Sequence, residues 1–165
     1  MKLHTTKSLI ATAILGALFL HSSDTFAVQP KLKQSDITIP SATDANQLAT
    51  KRTTTRLTQS HYRKFQLDDA FSEKIFDRYI KNIDYSHNTF LKSDIDDLRA
   101  KYGSKLDDQL NEGDLSAAFA IYDLMMKRRY ERYAYALSLL DKEPDLKGND
   151  QIEIDREKAP FPASE

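Results

Sequence analysis

Cysteine is absent from the chain, and glycine occurs only four times in 165 residues. No disulfide can staple such a fold, so its stability must come from a packed core. Apart from Gly16, the glycines are Gly103, Gly113 and Gly148. A phosphate-cradling loop, a dinucleotide fingerprint and a nucleophile elbow each need glycines at fixed offsets, and none of those patterns is present. An excess of one charge is also missing. The 24 lysines and arginines stand against 25 aspartates and glutamates, a balance that argues against a polyanion partner.

What is present begins with a cationic start, MKLHTTK, an apolar run of 13 residues, SLIATAILGALFL, and a polar tail ending in Ala27. This is the pattern of a secretory signal peptide, and its apolar run is shorter than the roughly 20 residues that span a bilayer. Cleavage is expected after Ala27, with no cysteine there to carry a lipid. The cut removes Lys2, Lys7 and Asp24 and leaves 138 residues with a formal charge of −2. That length suits one domain of about 100 to 150 residues.

Residues 28–47 mix two prolines with polar residues, show no apolar period and read as a flexible leader. From about Leu48 a helix with a thin apolar stripe is predicted, weakened by its threonines. In DAFSEKIFDRYIKNI, the residues Phe71, Ile75, Tyr79, Ile80 and Ile83 recur at helical spacing with Phe76 widening the stripe, and Asp68 or Asp69 is the natural N-cap. DYSHNTFLKSDID then reads as a turn and a new helix start, with Ser93 as cap and Asp96 three residues on. Leu106 and Leu110 continue helically to Gly113. From Leu115 to Leu140 the positions Leu115, Phe119, Tyr122, Met126, Tyr130, Tyr133, Leu137 and Leu140 advance by three or four and predict the longest helix. On this reading Tyr133 and Leu137 belong to the core, and Arg128 and Arg132 to the solvated face.

No alternating run predicts a strand, and the short connections imply antiparallel packing. The expected fold is all-α, a small antiparallel helical bundle over residues 48–145. Residues 146–165, ending KAPFPASE, are expected to form an extended connector.

Ser86 with His87, and Ser60 with His61, place a hydroxyl beside an imidazole. Chain neighbours usually point apart, so both pairs read as a capping or turn serine next to a surface or half-buried histidine. His61 and His87 lie 26 residues apart, without the i, i+4 spacing of two metal ligands on one helix. KRRYERYAY, residues 127–135, interleaves cations with aromatics as single-strand binders do. The better reading puts Tyr130 and Tyr133 inward and pairs Lys127 with Glu131 on a solvated face, which leaves partner binding as the function to keep. No catalytic, cofactor-binding or metal-binding residue is assigned, and neither nucleic acid nor a small-molecule cofactor is expected.

The stretches SHYRKFQLDDAFSEKIFDRYIKNIDYSHNTFLKSDI and KRRYERYAYALSLLDKEPDLKGND resemble the N-terminal region of the tail-specific, or carboxy-terminal processing, proteases of Gram-negative bacteria. The likeness runs from about Thr54 to Pro162. It implies a periplasmic serine endopeptidase acting on non-polar C-termini, built from a helical N-terminal domain, an inserted PDZ domain and a protease core with a serine and lysine dyad. This chain would stop before the PDZ and protease domains, so no catalytic residue carries over. The resemblance further implies a scaffold that positions those domains and offers a surface to an outer-membrane lipoprotein adaptor, in the periplasm and peripheral to the membrane. The alternative is an independent periplasmic helical interaction module that binds such an adaptor.

Overall fold

The computed structural model describes residues 33–140, 147–149 and 151–164. The signal peptide read at residues 1–27 and the first part of the leader lie outside the described residues. Within them are five α-helices and no strand: α1 Asp44–Ser60, α2 Asp69–Ile83, α3 Lys92–Tyr102, α4 Leu106–Glu112 and α5 Ser116–Leu139. The fold is all-α, as the periodicity predicts. Among the described residues no helix is long and apolar enough to cross a membrane.

Helix α1 starts ahead of the expected Leu48 because Thr43 caps it. The Asn46 amide donates to Thr43 Oγ1 at 3.3 Å, and Asn46 Oδ1 accepts from the Thr43 amide at 3.1 Å. Its threonines are tolerated because Thr50, Thr55 and Thr58 return their hydroxyls to carbonyls one turn back, at 2.9, 2.8 and 3.0 Å. Asp68 caps α2 by accepting the Phe71 amide at 2.9 Å. Helix α3 departs from expectation: Leu91 is its N-cap residue and Ser93 lies inside the first turn. Asp94 does the capping by accepting the Leu91 amide at 2.9 Å.

Helix α4 packs against both α1 and α2. It ends at Gly113, whose φ of 76° is the left-handed value that glycine adopts without strain. A Cβ there would also lie 2.6 Å from the Gln47 carbonyl oxygen of α1, so glycine sets how closely the two helices approach. Between α4 and α2, the Ser72 hydroxyl donates to Asp107 Oδ1 at 2.6 Å and accepts the Asp107 amide at 2.7 Å, with both residues buried.

Ion pairs tie the helices together. Arg99, near the end of α3, reaches Glu73 at 2.8 Å and Asp77 at 2.6 Å on α2. Its guanidinium also lies 4.8 Å from the Phe76 ring centre. Asp94, at the start of α3, takes a two-pronged bond from Arg128 of α5, Nε to Oδ2 at 2.9 Å and a terminal nitrogen to Oδ1 at 3.0 Å.

The core gathers Phe76, Ile80, Phe90, Leu98, Ile121 and Met125, with Phe76, Phe90 and Ile121 fully buried. On α5 the buried line is Ala117, Ile121 and Met125, not the predicted line through Phe119, Tyr122 and Tyr130. Tyr133 and Leu137 are half-buried, and Leu140 is exposed. The small Ala117 admits close packing, so the helix turns that side inward and leaves the larger residues on its flanks. Arg128 continues the buried side with its side chain 17% exposed, and Glu131 pairs with it at 2.9 Å in place of the expected Lys127.

Burial raises the Asp94 carboxyl, but hydrogen bonds from Arg128 and the Leu91 amide, with the charges of Arg128 and Lys127, outweigh that and hold it below the usual carboxylate range. The stability it contributes is present in full above the unfolded value of about 4 and is lost as pH falls through the lower folded value. Arg128→Ala, which strands Asp94, is expected to cost about 2 to 4 kcal/mol at neutral pH, against under about 0.5 for the exposed Arg129→Ala. Urea melts over a pH series check this: the two variants should differ most at pH 7, and the gap should narrow progressively as pH falls below about 4.

Candidate functional site

The loop between α2 and α3 is built on Asp84, which is 3% exposed. Its carboxylate accepts three consecutive backbone amides, Asn88 at 3.1 Å and Thr89 and Phe90 at 3.0 Å each. Its own carbonyl accepts the His87 amide at 3.2 Å. A buried carboxylate without such donors would be costly, and buried amides without an acceptor equally so. The turn that results puts His87 at φ 47°, a left-handed conformation uncommon outside glycine, asparagine, aspartate and histidine.

Onto this loop folds the C-terminal segment. His87 Nδ1 meets the Ala159 carbonyl oxygen at 2.6 Å, so that nitrogen carries a proton and donates. The imidazole stacks on Phe161 with ring centres 4.1 Å apart. Arg156 donates to the carbonyls of Ser86 at 3.2 Å and His87 at 3.4 Å. The Lys92 amide, the first of α3, donates to the Pro162 carbonyl at 2.8 Å. Glu157 binds Lys81 at 2.5 Å and the Tyr85 hydroxyl at 2.6 Å, and these two hydrogen bonds hold its carboxyl below the usual range. Ala159 is buried and Phe161 packs against the core. Among its described residues the segment has no helix or strand, and it is seated on the bundle by Arg156 through Pro162.

Ser86 and His87 are therefore docking groups. Their carbonyls face Arg156, the imidazole is committed to Ala159, and among the described residues no hydrogen bond joins the Ser86 hydroxyl to the ring. Ser60 and His61 end α1, where His61 Nδ1 lies 3.0 Å from the Arg63 carbonyl and 3.2 Å from its amide. In the 127–135 stretch, Arg128 is structural and Arg132 reaches the Thr89 carbonyl at 3.4 Å. A groove of 470 Å³ beside the docked segment is lined by Leu91, Arg132, Tyr135 and Pro162 among others.

The sequence profile described as the tail specific protease N-terminal domain matches residues 53–165. The chain belongs to the tail-specific protease N-terminal domain family. A curated relative, the tail-specific protease of Haemophilus influenzae, is 69% identical over 165 residues, which is 100% of this chain and 24% of the relative. The chain thus spans about a quarter of that relative's length.

The tail-specific protease N-terminal domain is, in this chain, a helical body with its own C-terminal segment clasped against it. Asp84 and the clasp were missed by periodicity, since a carboxylate that gathers amides leaves no repeating pattern. The one available signal was Phe161 between Pro160 and Pro162, an aromatic in a stretch otherwise read as an extended connector.

Asp84→Ala should lower stability by about 2 to 4 kcal/mol, because several buried amides lose one acceptor together. Phe161→Ala should leave the urea midpoint close to wild type yet speed tryptic cleavage after Arg156 and Lys158, which are protected while the segment is seated. Limited proteolysis of both variants beside wild type checks the distinction between a loop that shapes the fold and a segment that rests on it.

Proposed function

We propose that the chain is the non-catalytic helical N-terminal region of a periplasmic serine endopeptidase that acts on proteins with non-polar C-termini. Its role is to position the PDZ and protease domains of the same enzyme and to offer a surface to an outer-membrane lipoprotein adaptor. Export by the signal peptide at residues 1–27, with cleavage after Ala27, belongs to the same reading. Family membership supports the assignment to a tail-specific protease. The scaffold role rests on one observation above all, the seating of Arg156–Pro162 on the α2–α3 loop. A chain leaving the bundle from a seated segment starts in a fixed direction, whereas a free linker would let the next domain wander.

The serine and lysine dyad of this reading would lie in the protease core, outside this chain. His87 has its Nδ1 proton bound to a carbonyl, and the Ser86 hydroxyl has no base within the described hydrogen bonds, so the pair lacks the relay that activates a serine.

The purified chain incubated with a peptide ending in apolar residues is expected to give no turnover, alone or with Ser86→Ala or His87→Ala. In the full-length protease, Arg156→Ala with Phe161→Ala should lower kcat/KM on that peptide about tenfold, a loss of roughly 1.4 kcal/mol of transition-state stabilisation. Turnover by the isolated chain that vanishes with Ser86→Ala would contradict the reading, as would a full-length double variant of unchanged activity.

A further inference from the structure

Between Asp44 and Asp68 the sequence runs 23 residues with five lysines and arginines and no aspartate or glutamate, in a chain whose formal charge is −1. Arg52 and Arg56 share the outer face of α1 with Leu48, Thr55 and Gln59, and together with Lys51, at the edge beside Gly113 of α4's C-cap, they line a shallow trough of 400 Å³. Leu48 is 50% exposed within it.

These cations differ from the paired arginines elsewhere in the bundle. Arg99 is bridged to two carboxylates and Arg128 to two more. Among the described residues no carboxylate pairs with Lys51, Arg52 or Arg56. Like charges four apart, as Arg52 and Arg56 are, disfavour the helix that carries them. The helix dipole does not account for them either: Lys51 and Arg52 stand in mid-helix, and the end of α1 already has Lys64, whose ammonium donates to the Gln59 carbonyl at 3.3 Å.

We infer that the outer face of α1 is a docking surface for an acidic helix of a protein partner, resting on the reading above that this domain offers a surface to a partner. Charge complementarity selects the chemistry. Arg52 and Arg56, one turn apart, match carboxylates at i, i+4 on a facing helix, each guanidinium donating a two-pronged hydrogen bond that a lysine cannot supply. Lys51 adds a third positive point, Leu48 takes one apolar side chain, and Thr55 and Gln59 bring hydrogen-bonding groups alongside.

A bilayer fits less well. An interfacial helix sinks an apolar face into the lipid, but the inner face of α1 is already taken by α4, where Thr54 is buried and Gly113 meets Gln47. Among the trough's lining residues only Leu48 is a large apolar one. A nucleic-acid strand fits less well again, for no aromatic side chain lines the trough to stack on a base.

The test uses a fluorescein-labelled helical peptide carrying glutamates at i, i+4 and one leucine, titrated with the chain and followed by anisotropy at low and at about 0.15 M salt. The triple variant Lys51→Glu, Arg52→Glu, Arg56→Glu is expected to bind at least about tenfold more weakly, and the off-face triple Lys74→Glu, Arg78→Glu, Arg129→Glu within about threefold of wild type. Circular dichroism melts establish that both triples are folded, and protected tryptic sites at Arg156 and Lys158 show that the clasp is intact, so loss of peptide is separable from failure of the scaffold. Absence of binding by wild type, equal losses in the two triples, or preference for phosphatidylglycerol vesicles over the peptide would each overturn the assignment.

Discussion

Five consecutive backbone amides, Asn88 to Lys92, decide how this molecule is put together. The first three are taken by the Asp84 carboxylate, the fourth by Asp94 and the fifth by the Pro162 carbonyl. Each is an obligatory donor, and three of the five residues are buried, so leaving any of those amides unmatched would cost about as much as a typical single mutation removes. One carboxylate thus closes α2, a second opens α3, and the C-terminal segment completes the series. The angle between α2 and α3 follows from that turn, and it brings Arg99 over Phe76 and onto Glu73 and Asp77.

The same arrangement links the fold to the proposed role. Asp94 is shared: it caps α3 through Leu91 and anchors α5 through Arg128. A disturbance of α5 at Arg128 is felt at the start of α3, and Lys92, one residue past Leu91, is where the C-terminal segment is held. In a tail-specific protease this would couple the helical body to whatever follows the segment through a short chain of hydrogen bonds.

Much of the fold was legible in the sequence, and the misses share a cause. Periodicity and capping signals together located the five α-helices of the described residues, α4 as a helical continuation, and Asp68 and Gly113 marked a start and a stop. Counting large apolar residues found the inward side of α2, where Phe76 and Ile80 are buried and Ile75, Tyr79 and Ile83 pack against the core, but passed over Ser72, and on α5 it misplaced the buried line. The buried lines are Ser72, Phe76 and Ile80 on one, and Ala117, Ile121 and Met125 on the other, both led by a small residue. Ser72 is inside because Asp107 satisfies it, and Arg128 is half-hidden because Asp94 does. Those partners lie 35 and 34 residues away, beyond any local pattern. The candidate site was read as a turn, which it is, but the partner that makes it a docking site comes some 70 residues later at Arg156.

Native-state hydrogen exchange of the amides of Asn88 to Lys92 reports how firmly each of these donors is held. Thr89, Phe90 and Leu91 should exchange only with global unfolding, and Lys92 should be protected as well, by a smaller free energy set by release of the C-terminal segment. An unprotected Lys92 amide beside protected neighbours would show that the segment is not held on the loop, and rapid exchange throughout would contradict the role assigned to Asp84.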